Sequence, residues 1–319
     1  MAAAIASRCR VVPAYRGVSP VLTNVAMIDV AAATRFMAGH ARLLDRRRLD
    51  LFLGEGDAAS VLAALDAYRN PDGGYGWGLE PDLRSAESQP INALHAFEVL
   101  HECRAAGSRT PAVELCAWLG TLTLDDGGLP FTLPVSDATA CAPWFTGGSA
   151  EESSLHGTCA VVSEACRLAR HDPAVAAHPW LERAVSYCVD AIARAERLHA
   201  YETMFALRLL DALADTKPEL LARVAATIPP SGALPVDGGV EGEELHPLDY
   251  APVPDAPIRA YVAPELIEAD LDRLEAGQQA DGGWTVDFAS FSPLATIEWR
   301  GYATLRAMRV LADNGRLET

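Results

Sequence analysis

Residues Tyr68 to Arg84 read YRNPDGGYGWGLEPDLR. An Asp precedes two adjacent glycines, aromatic residues alternate with further glycines, and a cluster of charge follows at Glu80, Asp82 and Arg84. Upstream, Val61, Leu62, Leu65 and Tyr68 keep the spacing of a helix with one apolar face. Glycine tolerates backbone angles that other residues resist, so the helix is expected to stop here and the chain to fold back within a few residues.

The pattern returns at Ala276–Phe288 (AGQQADGGWTVDF), at Leu122–Phe131 (LTLDDGGLPF) and, in worn form, at Ile228–Asp237 (IPPSGALPVD). The turn positions Asp72, Asp126, Ser231 and Asp281 stand 54, 105 and 50 residues apart. The long interval is two periods, which places an eroded copy near residue 178. A period near 52 residues divides the chain into about six units.

Each unit pairs two kinds of helix. Before the last turn, Ile267, Leu271 and Leu274 face one way while Glu265, Glu268, Asp272 and Glu275 face the other. After the turns, ESQPINALHAFEVL, SSLHGTCAVVSEAC, YETMFALRLLDAL and IEWRGYATLRAMRVL are apolar on most faces, as a helix buried on most faces must be. The expected fold class is all-α. About six helix hairpins would form an α/α toroid with outer and inner helical rings and short β turns at the DGG repeats. Residues 1–26 read as an N-terminal tail and 27–319 as one toroid domain, with Met1 and Met27 both open as the start. Strand signal is confined to short runs such as WTVDF.

Composition narrows the partners. A net charge of −17 and a pI near 4.8 oppose nucleic-acid binding. The basic run Arg46–Arg48 is bracketed by Asp45 and Asp50 and reads as a solvated helix end. Seven cysteines without a CxxC spacing argue against a disulfide framework and suit the cytoplasm, with Cys159 and Cys166 as small hydrophobes on one helix face. No apolar run reaches the roughly 18 residues needed to cross a bilayer, so stable membrane insertion is not expected.

QQADGGW, Gln278 to Trp284, resembles the QW repeat of squalene-hopene cyclases, and DGG turns recurring every 50 or so residues resemble the α/α-toroid superfamily of terpenoid cyclases and protein prenyltransferase β subunits. The resemblance touches four turns from Asp57 onward. It implies a toroid around a central, largely apolar pocket. The DxDD acid of class II cyclases and the DDxxD magnesium motif of class I enzymes are both missing, since Asp125–Asp126 runs into two glycines and a leucine. The zinc-binding contexts of the prenyltransferases find no match either, so no acid and no metal ligand carries over.

The helices after the turns carry acid near their starts, at Glu87, Glu151–Glu152, Glu202 and Glu298. Two readings stand open. Acid in a first turn offsets the helix dipole, and Ser88, Ser153 and Ser154 are N-cap types. Alternatively, carboxylates converging over an apolar hole repel one another and lose solvent, which raises their pKa and makes proton donors of them. Glu80, Asp82 and Arg84 either lock the connection by ion pairing or present two acids and an anion clamp to the cavity. The catalytic candidates are Glu80, Asp82, Glu152 and Glu298. The substrate-binding candidates are Trp77, Arg84, Trp144, His156, Tyr201, Glu202, Trp299 and Tyr302; aromatic faces among them can stabilise a carbocation. Proline-rich His246–Tyr261 reads as a lid or as a plain connecting loop.

The favoured expectation is acid-initiated cyclisation or isomerisation of a small hydrophobic substrate, isoprenoid or polyene, with no cofactor. The first alternative is prenyl transfer or lipid binding, with Arg84, Arg259 and Arg300 as the cations near turns and magnesium required only for a diphosphate substrate. The second is a carbohydrate-active α/α-barrel enzyme or a non-catalytic scaffold, with Trp77, Trp144 and Trp284 as stacking platforms.

Overall fold

The structure, a computed structural model, describes residues 28–106 and 109–318. The expected tail and Met27 lie outside the described residues. The fold is all-α: fourteen α-helices and one two-stranded sheet occur among the described residues. In chain order the helices are α1 (Val30–His40), α2 (Leu43–Phe52), α3 (Ala58–Asp66), α4 (Asn92–Glu102), α5 (Arg109–Leu122), α6 (Pro143–Thr146), α7 (Leu155–Ala169), α8 (Pro173–Ala176), α9 (Pro179–Arg194), α10 (Ala200–Ala212), α11 (Pro218–Ala225), α12 (Pro247–Tyr250), α13 (Pro264–Ala276) and α14 (Pro293–Asp313). The strands, β1 (Leu234–Pro235) and β2 (Glu244–Leu245), pair antiparallel with Leu234 opposite Leu245. The strand signal therefore falls on this hairpin and not on WTVDF, which is irregular.

The four glycine turns share one hydrogen-bond scheme. Gly73, Gly127, Gly232 and Gly282 each donate to the carbonyl three residues back. The side chains of Asp72, Asp126, Ser231 and Asp281 each accept from the amide two residues on, as in an Asx or ST turn. The acid then reaches the following helix or the residues that lead into it. Asp72 accepts from Ser88 Oγ at 2.8 Å, Asp126 from Ser153 Oγ at 2.6 Å, and Asp281 receives a bidentate pair from Arg300 at 2.7 and 2.8 Å. Near residue 178 no such turn exists. The short α8 stands there instead, capped by Asp172.

The last turn shows why glycine is needed. Gly282 has φ +95°, and a Cβ on it would lie 2.3 Å from the backbone of Ala32. Gln278 accepts from the Asp29 amide at 2.9 Å and donates to the Asp29 carbonyl at 2.9 Å. The turn after α13 is thus clamped to the start of α1.

Helices preceding a turn bury one stripe, Val61, Ala64 and Leu65 on α3 and Ile267, Asp270 and Leu271 on α13. Helices following a turn bury more of their faces, α4 from Asn92 to Phe97 without a break and α7 from Gly157 to Cys166, whereas α14 leaves Leu294 and Thr296 exposed in its first turn. Contacts run from α3 to α4, α7, α10, α12, α13, α14 and α2, and α2 packs back on α3. The second row, α1, α5, α9 and α11, packs against these.

Two surface expectations change. Arg48 is 5% exposed and grips Glu102 through two hydrogen bonds of 2.6 and 2.9 Å, so only Arg46 and Arg47 of the basic run are solvated. The buried Asp45 on the same helix is the reason, since it and Glu102 together stabilise the cation. His246–Tyr261 forms α12 and a 3-10 turn packed on α10, with Tyr250 buried and donating to the Gly232 carbonyl. It packs on the body of the fold rather than lying over it as a lid, with Val253 and Tyr261 exposed, and it contributes Asp249 to the cavity described below, which the β1–β2 loop also reaches.

Gly282→Ala should lose about 2–4 kcal/mol of stability in urea unfolding, from backbone strain plus the clash with Ala32. Gly315→Ala, with φ +72° and open space around it, should lose only about 1 kcal/mol. Equal losses would show that close packing of the turn does not contribute.

Candidate functional site

A cavity of about 720 Å³ opens between α4, α7, α10, α14 and the β1–β2 loop. Its size falls within the range of small-molecule sites, about 300–1,000 Å³. One wall begins at the first glycine turn. Glu80, Pro81, Asp82 and Leu83 form a β-turn, with the Leu83 amide donating to the Glu80 carbonyl and proline in the favoured second position. Asn92 holds this turn, accepting from the Glu80 amide at 2.7 Å and donating to the Tyr75 carbonyl at 2.8 Å.

Glu80 and Asp82 both line the cavity and are 5% and 3% exposed. Asp82 Oδ2 accepts from Trp299 Nε1 at 2.8 Å and Oδ1 from the Phe291 amide at 2.7 Å. It makes no salt bridge among the described residues. Burial raises its pKa, with Glu80 adding to the shift, and these two hydrogen bonds, with a weaker contribution from Ser290, only partly oppose it.

Glu80 belongs to a different kind of group. His95 Nε2 lies 3.0 Å from Glu80 Oε2, and Nδ1 lies 3.4 Å from Glu98 Oε2. Burial alone would lower the His95 pKa, but the two carboxylates overcome it and lift the imidazole to about 9. The same contacts, with Arg48 and a hydrogen bond from Tyr302 at 2.8 Å, hold Glu98 low against the effect of its own burial. His95 is therefore an imidazolium at neutral pH, donating to both acids.

Aromatic rings make up much of the remaining wall. Trp299 meets Phe288 edge-on at 5.0 Å and Tyr302 at 5.5 Å. Across α7 and α10, His156 stacks on Tyr201 and Phe205, both at 5.4 Å. Burial, with His199 nearby, lowers the His156 pKa to about 4, so this ring is neutral. Tyr201 donates to Glu243 of the β1–β2 loop at 2.7 Å. Trp144 lines the cavity while remaining 45% exposed, which places it at the mouth.

Of the residues singled out from the sequence, Glu80, Asp82, Trp144, His156, Tyr201, Trp299 and Tyr302 come together on this cavity. Arg84, Glu298, Glu152, Glu202 and Trp77 are not among its lining residues. Arg84 and Glu298 pair with each other at 2.5 Å. Glu152 is on the surface. Glu202 closes a capping box at the start of α10, accepting from the His199 amide at 2.8 Å. Trp77, exposed and at φ +58°, donates to Asn70. Arg259 and Arg300 are engaged elsewhere, by the Ala251 carbonyl and by Asp281. Of these helix-start acids, Glu202 caps, Glu298 pairs and Glu152 is exposed, and the two catalytic candidates that reach the cavity, Glu80 and Asp82, come from the loop.

His95, Glu98, Arg208 and Arg306 were missed. They sit on the helices read as apolar all round, and a charged residue inside such a helix was the available signal. Among the described residues, no group of three or more His, Cys, Asp or Glu is arranged to hold a metal ion, and no helix is long and apolar enough to cross a membrane.

The His95 cluster predicts a pH dependence. Its folded pKa of about 9 lies above the ordinary 6.5, so the stability it contributes is complete below pH 6.5 and lost as pH rises through 9. Urea unfolding of the wild type should lose on the order of 3 kcal/mol between pH 6.5 and 9.5, and His95→Gln should show a flatter profile. Parallel profiles for the two proteins would remove His95 as the cause.

No family model matches the chain, and no curated protein matches it. A solved crystal structure of a protein from Actinoplanes is similar, with a TM-score of 0.50 and 17% identity over 89% of this chain and 100% of that one. At that identity the likeness concerns the fold alone.

Proposed function

We propose that the helices form an α/α toroid around this cavity, and that the protein is an enzyme that isomerises or cyclises a small, mainly apolar isoprenoid or polyene by proton transfer from Asp82. The cycle of helix contacts returning from α2 to α3 and the recurring glycine turns support the toroid. The observation that carries the chemistry is the Asp82 carboxyl. It is buried in the cavity wall without a cation partner, oriented by Trp299 and Phe291, and biased toward its protonated form.

Asp82 gives its proton to one carbon of a double bond, whose π pair forms the new C–H bond. The cation left on the neighbouring carbon faces the rings of Trp299, Phe288 and Tyr302, whose quadrupoles stabilise it. A proton lost from an adjacent carbon returns to the Asp82 carboxylate, so the acid is regenerated and no co-reactant is consumed. Magnesium enters only if the substrate carries a diphosphate. The six cysteines among the described residues are free and buried, which suits work in a reducing cytoplasm.

One observation favours a second reading. Trp144, exposed at the mouth, is the kind of surface on which a sugar ring stacks. Solvent extraction of the purified protein followed by mass spectrometry separates the two: an isoprenoid or polyene supports the proposal and an oligosaccharide overturns it. On the compound recovered, Asp82→Asn should cut turnover by about 10²–10⁴-fold, the usual contribution of a general acid. Glu152→Gln should leave turnover unchanged. An active Asp82→Asn variant would sink the assignment of the acid.

A further inference from the structure

The cavity has a second charged pole. Arg208 on α10 and Arg306 on α14 both line it, and both converge on Asp249 at the end of α12. Arg208 donates Nε to the Asp249 carbonyl at 2.7 Å and lies over the Phe205 ring at 5.6 Å. Its Nη1 and Nη2 find no hydrogen-bond partner among the described residues, and no carboxylate there lies within salt-bridge distance of it. Arg306 uses Nη2 alone, bonding the Leu248 carbonyl and Asp249 Oδ1, both at 2.9 Å. Its Nε and Nη1 bond to nothing among the described residues. Two planar donor forks therefore face the same space with most of their N–H groups unused.

A guanidinium held among apolar and aromatic groups without a carboxylate is unfavourable unless something else fills its donors. Burial, with the like charge of Arg306, lowers the Arg208 pKa, and the attraction of Glu164 and Asp249 only partly opposes this. Asp249 neutralises one of the two arginines. One positive charge remains over, which matches a single negative charge on a ligand. A polyanion fits poorly, because Asp237, Glu243 and Glu244 line the same cavity on the β1–β2 side.

We propose that Arg208 and Arg306 bind the carboxylate of an otherwise apolar substrate. Guanidinium forks match the two oxygens of a carboxylate in one plane. The rest of the ligand then runs along the face of α14 that carries Arg306, Tyr302 and Trp299. Arg306 and Trp299 are seven residues apart, about 10 Å along the helix axis at 1.5 Å per residue. Trp299 holds Asp82, so the double bond that receives the proton lies roughly that far from the carboxylate. This deepens the proposed function and rests on reading the cavity as the substrate site.

The test is binding of farnesoic acid, farnesol and farnesyl diphosphate to the full-length protein by calorimetry, with dodecanoate and dodecanol as a pair lacking isoprene units. Farnesoic acid should bind at least tenfold more tightly than farnesol. Arg208→Gln should reduce that ratio to about one by weakening the acid alone, while Arg208→Lys should keep part of it. Equal affinity for acid and alcohol in the wild type would overturn the subsite, and farnesol binding by itself would leave the apolar-cavity reading standing. Dodecanoate preferred over dodecanol, with no binding of the farnesyl compounds, would keep the subsite and remove the isoprenoid reading. Tighter binding of the diphosphate than of the acid, or no binding of any probe, would overturn the proposal. A normal thermal melt for Arg208→Gln shows that a lost preference reflects the missing guanidinium.

Discussion

An aspartate that closes its own turn and also anchors the next helix is the constraint on which the architecture depends. Asp126 Oδ1 accepts from the Gly128 amide at 3.0 Å and from Ser153 Oγ at 2.6 Å. Asp72 does the same with Gly74 and Ser88, at 2.9 and 2.8 Å. One oxygen thus fixes both the end of one helix connection and the start of the next. The second glycine of each of the three Asp turns makes the approach possible. A Cβ on Gly128 would meet Ser153 at 2.4 Å, so any side chain there would push the anchored helix away. Asp281 replaces the hydroxyl with Arg300, and Arg300 in turn lies over Phe36 of α1 at 4.5 Å. The same device therefore joins the last helix to the first.

The helices drawn inward by these turns bring charge with them, and the charges balance. Asp45, Glu80, Glu98 and Glu102 are matched by Arg42, Arg48, His95 and Arg309 in one continuous set of contacts. Arg48 and Arg309 both meet Glu102, and His95 bridges Glu80 to Glu98. No cation of this set is left for Asp82. Its ionisation would add a negative charge beside Glu80 in a dehydrated wall, which explains why its pKa rises while that of Glu98, a residue of the same acidic chemistry nearby, falls. Two acids in one cavity are thus shifted in opposite directions by their partners, the kind of divergence that acid–base chemistry uses.

The all-α class and the glycine turns were legible because their signal is local. A polar residue followed by two glycines is a turn with a mechanism, and the helices on either side differ visibly in how many faces are apolar. The position of the acids near the first turn was legible as well, since Glu80, Asp82 and Arg84 form more charge than a turn needs. What the sequence could not show was the division among them. Arg84 leaves the group to pair with Glu298, 214 residues away, and only the three-dimensional register of α14 makes that contact. Helix-start acids gave an ambiguous signal for the same reason. Glu202 caps its own helix, a local interaction, whereas Glu298 serves a distant arginine. His95, Glu98, Arg208 and Arg306 were hidden among apolar neighbours. Their burial in helices without a wet face was the clue, because such a residue must find a partner or a cavity.

The site's precision traces to one rigid element. Along α14, Trp299 orients Asp82, Tyr302 donates to Glu98, and Arg306 holds Asp249. These three residues fall on one helical face at spacings of three and four, so a single helix sets the acid, the buried ion network and the second cationic pole relative to one another. The helix itself has little freedom at its start. Ser292 caps it, Arg300 is clamped to Asp281, and Gly301 packs so close to Ala41 that a Cβ would sit 2.9 Å away. A site carried on loops would need each of these contacts to be positioned separately. Here a rotation of α14 that improved one contact would break the other two, so the three act as a mutual lock on the geometry that the proposed chemistry uses.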